Sequence, residues 1–220
     1  MQSLRLPQLD FASLLAYTPR LGGELGQQSR DLMHALKDGR LTGTPPISMS
    51  VRIADRIKKG SVSFGLFSPF LKPSAVLVPV PKSSLQREGS LWVPQQLAGA
   101  LVQAGLGARV GTLLLRTEPI PKAATSIPSE RPTASKHYMT LSVQKDLSPT
   151  PEILLVDDVV TTGAALLGSA NRLHESYPGV PIRGFAAIRT ITNPTELTKT
   201  TQPIVGTITL RDDGWCLRRP

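Results

Sequence analysis

The chain has 220 residues, of which 40% are hydrophobic and 19% charged, with 25 basic against 16 acidic side chains and a net charge of +9. That length suits one full-sized domain with a sizeable core, and no stretch approaches the ~18 consecutive apolar residues of a membrane span, so a soluble protein without membrane contacts is expected. The single cysteine, Cys216, excludes an intrachain disulfide and a cysteine zinc site, and the opening twenty residues mix polar and apolar types too evenly for a signal core; both point to the cytoplasm. The basic excess leaves two partner classes open, nucleic acid and a small polyphosphate. Residues 56–145 hold 12 of the basic residues against three acids, with no basic run longer than two, which favours separate phosphate contacts over a basic tail.

In chain order, residues 1–60 read as a helical segment packed on a main domain covering 61–220. "SRDLMHALKDGR" sets Leu32, Met33 and Leu36 on one face, with Ser29 as cap and Gly39 as stop, and "SMSVRIADRIKKG" spaces Met49, Ile53 and Ile57 four apart as a second helix. The pattern then changes to strands. "AVLVPV" is a short buried strand, followed by the polar loop "PKSSLQREGS" and a helix around "VPQQLAGALVQAG". "ARVGTLLLR" and "HYMTLSV" read as further strands, the second alternating in and out. "EILLVDDV" and "VPIRGFAAIRT" are near-continuous apolar strands flanking the helix "TTGAALLGSANRLHES", and strand, helix, strand in that order implies parallel pairing with a right-handed crossover. A last strand is expected at 204–210, with Asp212 and Asp213 as a turn signal after it. The fold class is α/β with a mostly parallel central sheet flanked by helices.

The run "EILLVDDVVTTGAALLGSANRL" concentrates the chemistry. Asp157 and Asp158 close an apolar strand side by side, and two adjacent carboxylates cannot both be buried without partners; hydroxyls or a hydrated cation would serve. Thr161, Thr162 and Gly163 then form a turn whose backbone N–H groups stand at the positive end of a helix, a ready site for phosphate. Two diol acceptors just ahead of a phosphate cradle describe a ribose 5-phosphate receptor. Neither a GxxxxGK[ST] loop nor a GxGxxG fingerprint is present, which removes the nucleoside-triphosphatase and dehydrogenase readings. His34 and His137 read as structural.

The segment 153–165, "ILLVDDVVTTGAA", resembles the phosphoribosyl-pyrophosphate (PRPP) motif of type I phosphoribosyltransferases. The resemblance implies that fold, with a long flexible loop over the site, and a reaction in which ribose 5-phosphate passes from PRPP to a nitrogenous acceptor with release of pyrophosphate. By position, Asp157 and Asp158 would hold the ribose 2′- and 3′-hydroxyls, and Val160, Thr161, Thr162, Gly163, Ala164 and Ala165 the 5′-phosphate. Ala165 stands where the family often carries a hydroxyl. "VPVPKSS" sits where the family places its pyrophosphate loop, which gives Pro81, Lys82, Ser83 and Ser84 to the diphosphate; Lys82 is equally well a plain loop lysine. The stretch 117–136 is long for a connection within one domain and occupies the family's mobile loop, so Lys122, Arg131 and Lys136 could bring charge to departing pyrophosphate. Mg²⁺ is implied, carried mainly by PRPP and by Asp157 and Asp158. Thr161 occupies the position of the oxopurine-enzyme aspartate, so the acceptor is unknown.

Among subfamilies the order "VPVPKSS", "QQLAGAL", "LLLRTEP" is similar to the ComF type, although that group's Arg-Gly-aromatic-Asn-Gln stretch is replaced by "REGSLWVPQQ" and its four-cysteine ribbon is absent. The alternative is a non-catalytic protein of this fold that binds DNA or RNA, or that responds to PRPP as a regulator. A homodimer is left open as well.

Overall fold

The computed structural model describes residues 4–60, 65–122, 127–146 and 148–220. Its centre is a seven-stranded sheet with the spatial order β11-β10-β1-β9-β8-β4-β5. The strands are β1 (Gln8–Tyr17), β4 (Val76–Pro79), β5 (Arg109–Val110), β8 (Ile153–Val160), β9 (Ile182–Thr190), β10 (Thr201–Leu210) and β11 (Cys216–Arg219). β1, β9, β8, β4 and β5 run parallel; β10 and β11 extend the sheet in antiparallel fashion. Two small antiparallel pairs lie outside it, β2 (Leu41–Thr42) with β3 (Ile47–Ser48), and β6 (Leu114–Arg116) with β7 (Leu141–Val143).

The faces are covered by helices that include α1 (Gly23–Lys37), α2 (Met49–Lys59), α3 (Val93–Gln103), α4 (Ala134–Met139) and α5 (Ala164–Ser176). Leu36 of α1, Ile53 and Ile57 of α2, and Leu97 and Leu101 of α3 pack on Leu77, Leu154 and Val156. On the other face Ala134 of α4 and Leu166, Leu167 and Leu173 of α5 pack on Val76, Val78, Ile153 and Leu155. Alternate residues of β4 and β8 thus feed opposite cores, which is why both strands are apolar throughout. In α2 the four-residue spacing behaves as expected: Met49, Ile53 and Ile57 are all buried, each worth about 1.5–3 kcal/mol. The Ser48 hydroxyl caps the helix by accepting from Val51 N–H, a cap worth about 1 kcal/mol.

Four sequence expectations are corrected. Residues 8–17 are not helical: they form β1, inserted between β10 and β9. Leu9, Phe11, Ala12, Leu14, Leu15 and Ala16 are all buried, because a strand covered on both faces shows no alternation for the eye to find. α1 begins at Gly23, with Gly22 as its cap; Ser29 lies buried in mid-helix and donates to Gly26 O. "HYMTLSV" is divided: Thr133 caps the short helix α4, and only Leu141–Val143 is strand. "ARVGTLLLR" is two strands in two different sheets. The boundary expected at residue 61 falls outside the described residues. Among the described residues no helix is long and apolar enough to cross a membrane.

Candidate functional site

The connections of β4 and β8 set the place where a ligand can bind. β4 leads through α3 to β5 on one side, and β8 leads through α5 to β9 on the other. Neighbouring parallel strands whose connections diverge leave a crevice at their carboxyl ends, the usual ligand site of open α/β sheets. Pro79 pairs with Val156, and one further bond, Val80 N–H to Val156 O at 2.9 Å, ends the ladder. The loop 81–84 therefore leaves the sheet beside Asp157 and Asp158, while β8 runs on against β9 to Val160.

Asp157 is buried and Asp158 half-buried. The Asp157 Oδ1 atom accepts from Asp158 N–H at 2.9 Å, and Asp158 Oδ1 accepts from Val159 N–H at 2.8 Å. Burial, followed by the adjacent Asp158 charge, raises the Asp157 pKa well above the carboxylate range; Lys37 at the end of α1 acts weakly in the opposite sense. A buried acid beside a half-buried one, each served by a single backbone N–H, gains from a ligand that brings further O–H groups or a cation.

The turn that follows is tightly specified. Gly163 has φ +89°, and a Cβ on it would meet the Ile208 side chain of β10 at 2.6 Å. Only glycine fits both the backbone angle and the space. Thr161 and Thr162 are half-buried, and α5 begins at Ala164, so its first N–H groups face the crevice end of the sheet. Arg218 of β11 holds the turn from behind: Nε donates to Thr161 O at 2.7 Å, and Nη2 donates to Thr190 O. Its guanidinium also lies 5.9 Å from the centre of the Phe11 ring. Burial, then the positive charge of nearby Arg189, lowers the Arg218 pKa to about 10.

The loop 81–84 is held by longer-range contacts. Trp92 Nε1 donates to Val80 O at 2.9 Å, Arg116 Nε to Lys82 O at 3.0 Å, and Ile120 N–H to Ser83 O at 2.9 Å. Pro81 is buried, Ser83 half-buried and Ser84 exposed. The Lys82 ammonium donates to Ser90 Oγ at 3.0 Å and to Leu91 O at 2.6 Å, which bridges the loop to the residues before α3.

The long stretch 117–136 is an excursion between β6 and β7, closed at its base by Thr117 N–H to Thr140 O at 3.0 Å. Residues 123–126 lie outside the described residues. Lys122 is exposed and engaged elsewhere in the chain, Arg131 is half-buried with an unpaired Nε, and Lys136 is exposed on α4. His137 is buried, and its Nδ1 lies 3.3 Å from Arg116 Nη2. Burial, then the Arg116 charge, lowers its pKa to about 3; the ring is neutral, in keeping with a structural histidine. Trp215 lies half-buried beyond the amino-terminal end of β1, where Leu210 N–H bonds Pro7 O.

The structure thus brings Asp157, Asp158, the 160–165 turn and the 81–84 loop to one crevice. Arg116, Trp92 and Arg218, which hold those loops, were not singled out from sequence. The one available hint was position: Arg116 ends an apolar strand just before the long excursion.

No family model matches the chain, and no curated protein matches it. Among solved structures, a chain described as an analysis of an invariant aspartic acid in HPRTs, glutamic acid mutant, is 17% identical, covering 74% of this chain and 89% of that one with a TM-score of 0.30. A superposition that loose transfers no residue role.

Proposed function

We propose that this protein is a type I phosphoribosyltransferase, with its nearest sequence pattern in the ComF type, that binds PRPP with Mg²⁺ and transfers ribose 5-phosphate to a nitrogenous acceptor. One observation carries the reading: buried Asp157 and half-buried Asp158, each with a single backbone N–H as its hydrogen-bond donor, stand between the Gly163 turn and the 81–84 loop at the switch point of the sheet. A vicinal diol supplies the two O–H donors that such a pair needs. A phosphate on one side and a diphosphate on the other fit the N–H groups of the two loops.

In this reading the protein does little covalent work. Asp157 and Asp158 fix the ribose, the 160–165 turn fixes the 5′-phosphate, and residues 81–84 take the diphosphate that departs from C1. Orientation of these groups and stabilisation of the leaving charge supply the rate. Lys122 and Arg131, carried on the excursion, would bring positive charge toward the departing diphosphate. Among the described residues no three His, Cys, Asp or Glu side chains cluster. The donor set is therefore two carboxylates, which suits an Mg²⁺ ion that arrives on substrate phosphates and keeps several waters. When bound, that ion would neutralise charge on the diphosphate. At the acceptor side Thr161 cannot act as a base at neutral pH, so a purine N7 has no carboxylate partner at that position.

The test is a thermal titration with PRPP and Mg²⁺. At 100 times Kd the ligand adds about 2.7 kcal/mol, which for a chain of this size raises Tm by about 5–10 °C at 2–4 °C per kcal/mol. The Asp157→Asn/Asp158→Asn variant should fold and lose that shift. No shift in the native protein, or an unchanged one in the variant, would sink the reading. Pyrophosphate release across a panel of bases and amines then identifies the acceptor.

A further inference from the structure

Arg116 is a buried cation beside the 81–84 loop, 7% exposed, and nothing in the proposed reaction uses it. It spends its donors on neutral partners: Nε on Lys82 O at 3.0 Å, Nη1 on Thr140 Oγ1 at 2.6 Å, and Nη2 against His137 Nδ1 at 3.3 Å. Burial alone lowers its pKa, to about 10, so it stays charged at neutral pH, and among the described residues it has no ion pair with a carboxylate. An uncompensated buried guanidinium is costly and calls for an account beyond packing.

Its geometry supplies one. The carbonyls of residues 80, 82 and 83 are all bonded from the body of the protein, by Trp92, Arg116 and Ile120 respectively. In a trans peptide the N–H points opposite to the C=O of the same unit, and the only cis bond among the described residues is Thr44–Pro45. Tying back Lys82 O and Ser83 O therefore turns the N–H groups of Ser83 and Ser84 the other way, away from Arg116 and Ile120. Neither amide donates to any described residue. Two successive outward N–H groups with a fixed positive charge behind them form an anion nest.

We infer that Arg116 is the positioning residue of a diphosphate site formed by the Ser83 and Ser84 amides, and that it ties this site to the base of the excursion. The inference rests on the reading above and deepens it. The link runs through the partners of Arg116: Thr140 and His137 stand at the end of α4, where the excursion returns to β7. α4 in turn presses on α5 at Gly168, where an added Cβ would meet His137 Cβ at 2.6 Å. One guanidinium thus joins the 81–84 loop, the base of the excursion and the helix that starts at the phosphate turn.

The experiment compares two probes, Mg²⁺-pyrophosphate and ribose 5-phosphate, on the native protein and on Arg116→Met and Arg116→Lys, with Tm recorded for each. Arg116→Met should weaken pyrophosphate by tenfold or more while changing ribose 5-phosphate by less than twofold; Arg116→Lys, which keeps the charge but not the fork, should recover part of the loss. A merely structural arginine would weaken both probes equally, and that result, or no loss at all, overturns the inference. Should Arg116→Met fail to fold, the native protein still decides: the Ser83 and Ser84 amide resonances must shift on titration with pyrophosphate, and unmoved resonances overturn it. Native protein that takes ribose 5-phosphate but not pyrophosphate overturns this inference and leaves the ribose 5-phosphate receptor standing. Protein that takes neither overturns both.

Discussion

The turn at 161–163 and the loop at 81–84 leave adjacent parallel strands at the same end of the sheet, but they are held in shape in different ways. The turn is specified mainly by what is missing, a side chain at Gly163, and by the N-terminus of the helix it opens. The loop is specified by what reaches it, with Arg116 and Ile120 bonding two of its carbonyls and Trp92 bonding Val80 O just before it. A site formed by local backbone shape is written in consecutive residues. A site formed by remote donors is spread over the chain, and single substitutions far from it can dismantle it.

The largest effect should come from the local side of this contrast. Gly163→Ala forces a side chain into the left-handed region, at about 1–2 kcal/mol, and drives its Cβ against Ile208, where overpacking costs about 1–3 kcal/mol more. The expected loss of about 2–5 kcal/mol is measurable by denaturant unfolding, with ribose 5-phosphate binding lost alongside. Repeating the substitution in Ile208→Ala separates the two contributions, because only the backbone cost remains there. A penalty equal in both backgrounds would mean that the close approach does not matter.

Next comes Arg218, the one remote element of the turn. Arg218→Met removes the donors to Thr161 O and Thr190 O, worth about 1.5–3 kcal/mol for charged hydrogen bonds, partly offset by relief of a buried charge beside Arg189. Ribose 5-phosphate should bind several-fold more weakly and pyrophosphate unchanged, as measured by calorimetric titration. This is the mirror image of the pattern for Arg116→Met. Equal losses on both probes would show the two loops to be one mechanical unit, and the contrast drawn between them would fail.

The same contrast explains what could be read from residues alone. The strand 153–160, the acid pair and the glycine turn lie within one window, and their burial and spacing act on neighbours, so both the parallel sheet and the candidate receptor were legible there. β1 was not, since its apolar residues face two cores at once and carry no period of two. α4 is six residues long, too short for a helical period to emerge, although its Thr133 cap stands in plain view. Arg116 looks like a solvated strand-end charge until partners 34 and 24 residues away bury it. Arg218 reaches its turn across 57 residues, from beyond the Asp212-Asp213 turn signal, where sequence patterning placed no element.

The smallest effect is the most direct test of the acid pair. Asp157 titrates well above an ordinary carboxylate, from burial first and the Asp158 charge second, while in the unfolded chain it titrates near ~3.9. Below that pH both states hold the proton and its contribution to stability is fully present. As pH rises, the unfolded chain ionises first, and stability is lost until the folded carboxyl has ionised too. Asp157→Asn carries no such group, so the ligand-free variant should gain in Tm relative to the native protein as pH is raised from 4 to 8, with the difference close to constant below pH 4. A flat difference across that range would contradict the buried-acid account. The ligand should reverse the effect: diol hydroxyls donating to the pair favour the charged form, so ribose 5-phosphate binding should release a proton in the native protein and none in the variant. Calorimetry in two buffers of different ionisation enthalpy reads that proton directly, and it separates a receptor that needs its ligand's hydroxyls from a carboxylate pair that is simply buried.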